Sequence, residues 1–153
     1  MTTVLPAPAA DAAASVTPAV SPGFRLVPAL IGRPGRTQMI HLACPDWCVL
    51  SHADERQVAV EDVSHRGNVD HVQVPTMGDD DYSAFELYTQ LYSDPTSEDP
   101  RMRVASVVVT DGSRDAHQTP EMADEVADGL IAFAMRMKEA ASIARAANAA
   151  MAS

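Results

Sequence analysis

Aromatic residues and cysteines are scarce in this chain, and it has no long apolar run. Of its 153 residues, 5% are aromatic and two are cysteine. A membrane-spanning helix needs about 18 or more consecutive apolar residues, and the sequence offers no such stretch. The first residues also lack the positive and leucine-rich regions of a secretory signal. We therefore expect a cytoplasmic protein whose two cysteines are thiols or metal ligands rather than a structural disulfide.

Basic residues are few as well. The chain has 11 Lys and Arg against 21 Asp and Glu, a formal net charge of −10. Residues 1–36 contain one acid and three arginines, so residues 37–153 carry a net charge of −12. Nucleic-acid binding draws its affinity mainly from Lys and Arg, and anionic membrane surfaces repel an acidic protein. The charge therefore argues against nucleic acid and against anionic membranes as partners.

Residues 1–36 have the composition of a disordered tail. They include six prolines and eight alanines, with no regular apolar period. Proline removes amide donors, and alanine buries too little surface to offset the entropy lost on ordering. The one apolar cluster, residues 24–31, is interpreted as a semi-ordered linker, with docking on the domain or on a partner left open. A single folded domain is predicted over residues 37–153.

The middle of the chain predicts consecutive strands joined by short polar links, which are too brief for crossover helices. The predicted strands are 38–43, 68–74, 83–92 and 101–110. Residues 57–63 fit either a strand or an irregular segment, and residues 78–81 predict an acidic turn. This order indicates an antiparallel meander of four or five strands.

A long helix is predicted over residues 119–150. Thr119 suits the N-cap, Pro120 suits the first helical position, and acidic residues fill the first turns. An apolar stripe follows helical spacing: Met122, Val126, Leu130, Phe133, Met137, Ala141 and Ala144. The methionines at 122, 135 and 137 are interpreted as core or oligomer contacts. The predicted fold is α+β, with the helix packed on one face of the sheet.

The chemical signal is the stretch from Cys44 to His52, followed by His65. Its spacing is C-x3-C-x3-H-x12-H. Zinc favours a tetrahedron of thiolates and imidazoles, and a short separation lets one turn present two donors. We predict a structural zinc site formed by Cys44, Cys48, His52 and His65. The open alternatives for the fourth ligand are His71, His41, Asp46, Asp54 and a water.

Other chemistry stays open at this stage. Three ligands and a water would make a catalytic site, and the two cysteines are also compatible with free thiols, a reversible disulfide or a reactive thiol. A small zinc-dependent or thiol enzyme would use Cys48, His52 and Glu55. The charge also allows an acidic decoy that occupies a nucleic-acid-binding protein. Trp47, between the cysteines, is interpreted as a lid on the site or as an anchor for a partner.

The segment Cys44-Pro45-Asp46-Trp47-Cys48 through His52, with His65-Arg66-Gly67 after it, resembles an uncharacterised family of small actinobacterial and actinophage proteins. The order of strands and the helix starting Thr119-Pro120-Glu121 also match, over about residues 39–143. The resemblance implies His65 as the fourth ligand and an actinobacterial or phage source, and it brings no activity. We expect an accessory or regulatory module that binds a protein partner, with its oligomeric state open.

Overall fold

The computed structural model describes residues 20–77 and 79–151, with the side chains of residues 79–84 outside the description. It contains seven strands: β1 Phe24–Ile31, β2 Gln38–Pro45, β3 His65–Arg66, β4 Asp70–Thr76, β5 Asp79–Ser93, β6 Ser106–Thr110 and β7 Asp115–Gln118. One helix, α1, runs from Pro120 to Met151. Short 3-10 turns lie at Val60–Asp62 and Pro100–Met102. None of the helical residues described forms a helix long and apolar enough to cross a membrane.

All strand pairs are antiparallel, as predicted, but they form two sheets rather than one. β1 pairs with β2 along their whole length. The second sheet has the order β3-β5-β6-β7, with β4 also pairing with β5. The two sheets and the single C-terminal helix confirm the α+β class.

The segment predicted as a linker, Phe24–Ile31, is strand β1, so the tail does not extend to residue 36. Its prolines suggested disorder, yet Pro28 lies in a strand with only one pairing partner, where a missing amide donor is tolerated. Ala29 and Ile31 are buried with Val63 against Ile40 and Leu42 of β2. Burial of these alternate residues holds the strand in place. The predicted tail residues 1–19 lie outside the described residues.

Four other segments differ from the prediction or were left open by it. The strand expected over residues 101–110 begins only at Ser106, because Pro100 starts a 3-10 turn capped by the Asp99 carboxylate. Residues 57–63 contain the Val60–Asp62 turn and no strand. Strand β7 was not predicted. In the predicted turn at 78–81, Gly78 is outside the described residues, and Asp79 begins β5.

Helix α1 starts where the sequence predicts. The Thr119 hydroxyl accepts a hydrogen bond from the Met122 amide at 3.3 Å, which is the N-cap interaction. The helix contacts the sheet at β6 and β7, and none of its residues is buried. Packing on the sheet is therefore confined to its first turns, and the remaining turns project away from it.

The core of this fold is small. Among the described side chains, the largest that are fully buried are Val108, Cys44 and Cys48. His52 and His65 are also buried, at 2% and 3% exposure. Four of the most buried side chains are thus the polar or sulfur-containing residues of the predicted metal site, where a globular core would normally have large aliphatic groups.

Candidate metal centre

Each of the four predicted ligands comes from a different local structure. Cys44 lies near the end of β2, and Cys48 follows a turn closed by a 3.0 Å hydrogen bond from the Cys48 amide to the Pro45 carbonyl. His52 comes from the loop after that turn. His65 begins β3, in the other sheet. The cluster therefore joins the two sheets.

The structure brings the four side chains into one buried group whose ligand atoms all lie within 4.8 Å of one another. Cys44 Sγ is 3.6 Å from His52 Nε2 and 3.7 Å from His65 Nδ1. Cys48 Sγ is 3.7 Å from His52 Nε2. The two imidazole rings meet edge to face, with centroids 5.3 Å apart. This arrangement can hold one metal ion.

The other candidate side chains for the fourth position lie outside the four-residue group. His71 lies on β4 and stacks on Tyr88, with ring centroids 5.8 Å apart. His41 is exposed on β2, opposite Pro28 of β1. Asp46 is exposed, and the Asp54 carboxylate accepts a hydrogen bond from the Ser51 hydroxyl. None of these residues belongs to the four-residue group.

Burial favours the neutral forms of Cys44, His52 and His65 by shifting the pKa of each. Desolvation, together with the neighbouring Cys48, raises the pKa of the Cys44 thiol to about 12. Desolvation and the nearby His52 lower the pKa of His65 to about 4. Burial also lowers the pKa of His52. Both imidazoles are thus in the neutral form that binds a metal, and Cys44 must release a proton to do so.

Hydrogen bonding alone leaves this group incompletely paired. His52 Nε2 faces two sulfur atoms, and His52 Nδ1 is buried without a hydrogen-bond partner in the described part of the chain. Buried polar atoms are normally paired, so unpaired ones call for a cause. A cation bound by both sulfurs and by His52 Nε2 accounts for the ring orientation, which points Nε2 into the cluster.

Residues 9–146 match a family described as a domain of unknown function, DUF6907. The chain belongs to this family. The match starts well before residue 39, where the sequence resemblance began, and it includes all of β1. No curated protein and no solved structure matches the chain significantly.

Strand β1 of this DUF6907 domain supports the site directly, and the sequence alone did not reveal this role. The Arg25 guanidinium donates hydrogen bonds to the Cys48 carbonyl at 2.6 Å and the Asp46 carbonyl at 2.9 Å. The Leu30 amide donates to the His52 carbonyl at 3.0 Å. The positive charge of Arg25 also favours the thiolate form of Cys44. β1 thus fixes the backbone that presents three of the four ligands.

Trp47 lies partly buried beside the cluster. Its ring meets the edge of His65, with centroids 6.4 Å apart and planes at 85°. The backbone after Cys48 is also held in place, because the Val49 amide donates a hydrogen bond to the Arg66 carbonyl at 2.9 Å. Trp47 therefore packs next to one of the imidazoles, as a lid would.

We predict that Arg25→Met destabilises the domain by about 1–2 kcal/mol and weakens metal binding. The substitution keeps the aliphatic stem and removes two hydrogen bonds and the nearby charge. Chemical denaturation and competition with a chelator measure the two effects. Arg33→Met, at an exposed arginine in the β1–β2 turn, is the matched control and should change neither quantity. Equal results for the two variants would contradict the supporting role of Arg25.

Proposed function

We propose that Cys44, Cys48, His52 and His65 form a structural zinc site, and that the domain it stabilises binds a protein partner. The observation that supports zinc is the spacing of the donors. Zn–S bonds of about 2.3 Å and Zn–N bonds of about 2.0 Å in a tetrahedron separate sulfur from nitrogen by about 3.5 Å. Three of the four sulfur–nitrogen pairs in the cluster lie close to this value, at 3.6, 3.7 and 3.7 Å.

The donor set and its burial favour zinc in a structural role. Two thiolates and two neutral imidazoles give a neutral complex with Zn²⁺, which suits a site with less than 4% exposure at every ligand. A catalytic zinc would keep one position open to water. Four protein ligands would leave no such position here.

The enzyme alternative based on Cys48, His52 and Glu55 has less support. Glu55 is exposed and does not belong to the four-residue group. Its charge acts on His52 only by raising the pKa against the larger effect of burial. A general base must lie within hydrogen-bond reach of a reacting water. The geometry therefore favours stabilisation over catalysis.

We expect about one zinc per chain after purification in reducing, chelator-free buffer, measured by elemental analysis. Cys44→Ser, Cys48→Ser and His65→Ala should each lose the metal and lower the melting temperature sharply, because structural zinc binding is coupled to folding. His41→Ala and His71→Ala are the matched controls and should retain one zinc. Metal-free wild-type protein, or loss of zinc in the controls, would contradict the proposed ligand set.

For the partner, we propose the groove beside Trp47. This groove has a volume of about 380 Å³ and combines apolar and polar walls from Trp47, Gly67, Asn68, Asp70, Thr89, Gln90, Leu91 and Val107. An aromatic residue in a partly buried position is a common anchor for a partner. Asp70 and the acidic domain would favour a partner segment that pairs an apolar side chain with a basic one.

We expect Trp47→Ala in the full chain, compared with wild type at an equal loading of one zinc per chain, to lose a partner that wild-type protein captures. Affinity capture read by mass spectrometry measures this loss. Met39→Ala, at an exposed apolar residue of β2 (54% exposure), is the control for general surface hydrophobicity. Capture of the same partner by Trp47→Ala would exclude this groove, and loss with both variants would indicate nonspecific binding.

A further inference from the structure

Helix α1 is much longer than its contact with the sheet requires. Its 32 residues extend about 48 Å at 1.5 Å per residue. The residues that border the sheet belong to its first turns, up to Leu130. From Ile131 to Met151 every residue is exposed. The chain thus builds roughly six further turns that its own fold does not cover.

These exposed turns continue the apolar stripe. The stripe residues 122, 126, 130, 133, 137, 141 and 144 repeat at intervals of four, four and three. This 11-residue repeat corresponds to about 3.67 residues per turn, close to the 3.6 of an undistorted helix. The stripe therefore runs almost parallel to the helix axis. Phe133 and Met137, in its second half, are each 53% exposed.

The first half of the same stripe borders an open apolar groove. The groove has a volume of about 400 Å³ and lies between α1 and the five-stranded sheet. Its apolar walls are Val126 and Leu130 of the helix and Val72, Leu87, Val107 and Val109 of the sheet. Contiguous exposed apolar surface of this kind marks interaction sites.

The distribution of charge along α1 favours one direction for a second copy of the helix that pairs with it. Residues 120–135 contain four acids, Glu121, Asp124, Glu125 and Asp128, and no base. Residues 136–151 contain Arg136, Lys138 and Arg145 with one acid, Glu139. Two copies aligned in parallel would place four acids against four acids. An antiparallel pair places each acidic half beside a basic half.

We infer that α1 pairs antiparallel with α1 of a second copy of this chain, whose C-terminal half lies in the groove between α1 and the sheet. In such a pair the Phe133 and Met137 side of one helix covers the Val126 and Leu130 side of the other. Asp124, which lines the groove, then faces the basic half of the partner helix. The arrangement covers both halves of the stripe at once.

The exposed area of the stripe comes close to what a stable dimer needs. Five large stripe residues, Met122, Val126, Leu130, Phe133 and Met137, are 37–53% exposed. With about 150–250 Å² for a large side chain, they offer about 400 Å² per copy. The sheet wall of the groove adds to this on both copies. The total approaches the roughly 1,200 Å² at which specific interfaces begin.

Sedimentation of the full, metal-loaded chain between about 1 and 100 µM tests this pairing. We expect a species of twice the chain mass of 16.3 kDa. Phe133→Glu with Met137→Glu should raise the dimer dissociation constant at least about tenfold, because each buries a charge in the interface. Ile131→Glu with Met135→Glu, on the opposite side of the same turns, is the matched control and should change it less than about threefold.

The direction of pairing has its own test. Glu125→Lys with Asp128→Lys should weaken an antiparallel dimer at low salt and have a smaller effect at high salt, because screening shortens the range of the charges. A parallel dimer would instead be strengthened, because the charge of residues 120–135 would change from −4 to zero and the repulsion between the two acidic halves would be lost; that result would overturn the inferred direction. Wild-type protein that stays monomeric, equal weakening by both glutamate pairs, or no effect of the lysine pair would each overturn the inference.

Discussion

The interaction on which this structure depends is the convergence of two sulfur and two nitrogen atoms at the junction of two sheets. Apolar burial around that junction is limited, since Ala29, Ile31, Val63 and Val108 are the buried aliphatic residues described outside the cluster. Structural zinc contributes an apparent 10–16 kcal/mol in small domains, comparable with the 5–15 kcal/mol of net stability typical of a whole domain. A metal at this position would therefore be a major part of what keeps the two sheets together. It would also explain why sulfur and imidazole occupy sites that aliphatic side chains usually fill.

Around this junction the fold holds the four ligand side chains in place and keeps water away from them. Backbone hydrogen bonds from Leu30 and Val49, and the guanidinium of Arg25, fix the loop that carries the ligands. Trp47 lies against His65 and leaves the donors buried. These features stabilise one geometry and give water little access, as a structural site requires. They leave two surfaces for recognition, the groove beside Trp47 and the exposed face of α1, which is why the proposed roles concern binding.

Much of the fold and of the site could be predicted from the sequence, and the failures share a cause. Cys44, Cys48 and His52 follow from donor chemistry and short spacing, whereas His65 was chosen among several alternatives and the structure is what places it in the cluster. Helix α1 follows from Thr119, Pro120 and a regular apolar stripe. Strand β1 was missed because its prolines carry a local signal for disorder, whereas its order comes from pairing with β2 and from burial of Ala29 and Ile31. The support from Arg25 was missed for the same reason: its register opposite Cys44 exists only once the two strands pair. Tertiary pairing of this kind leaves little trace in local composition.

X-ray absorption at the metal edge of the purified protein tests the proposed zinc site most directly. We predict a four-coordinate zinc with two sulfur neighbours at about 2.3 Å and two imidazole nitrogens at about 2.0 Å, and the same shell after soaking with a small competing anion. A shell of oxygen and nitrogen without sulfur, one sulfur only, or an exchangeable fourth neighbour would contradict it, because the four side chains would then not close around one ion.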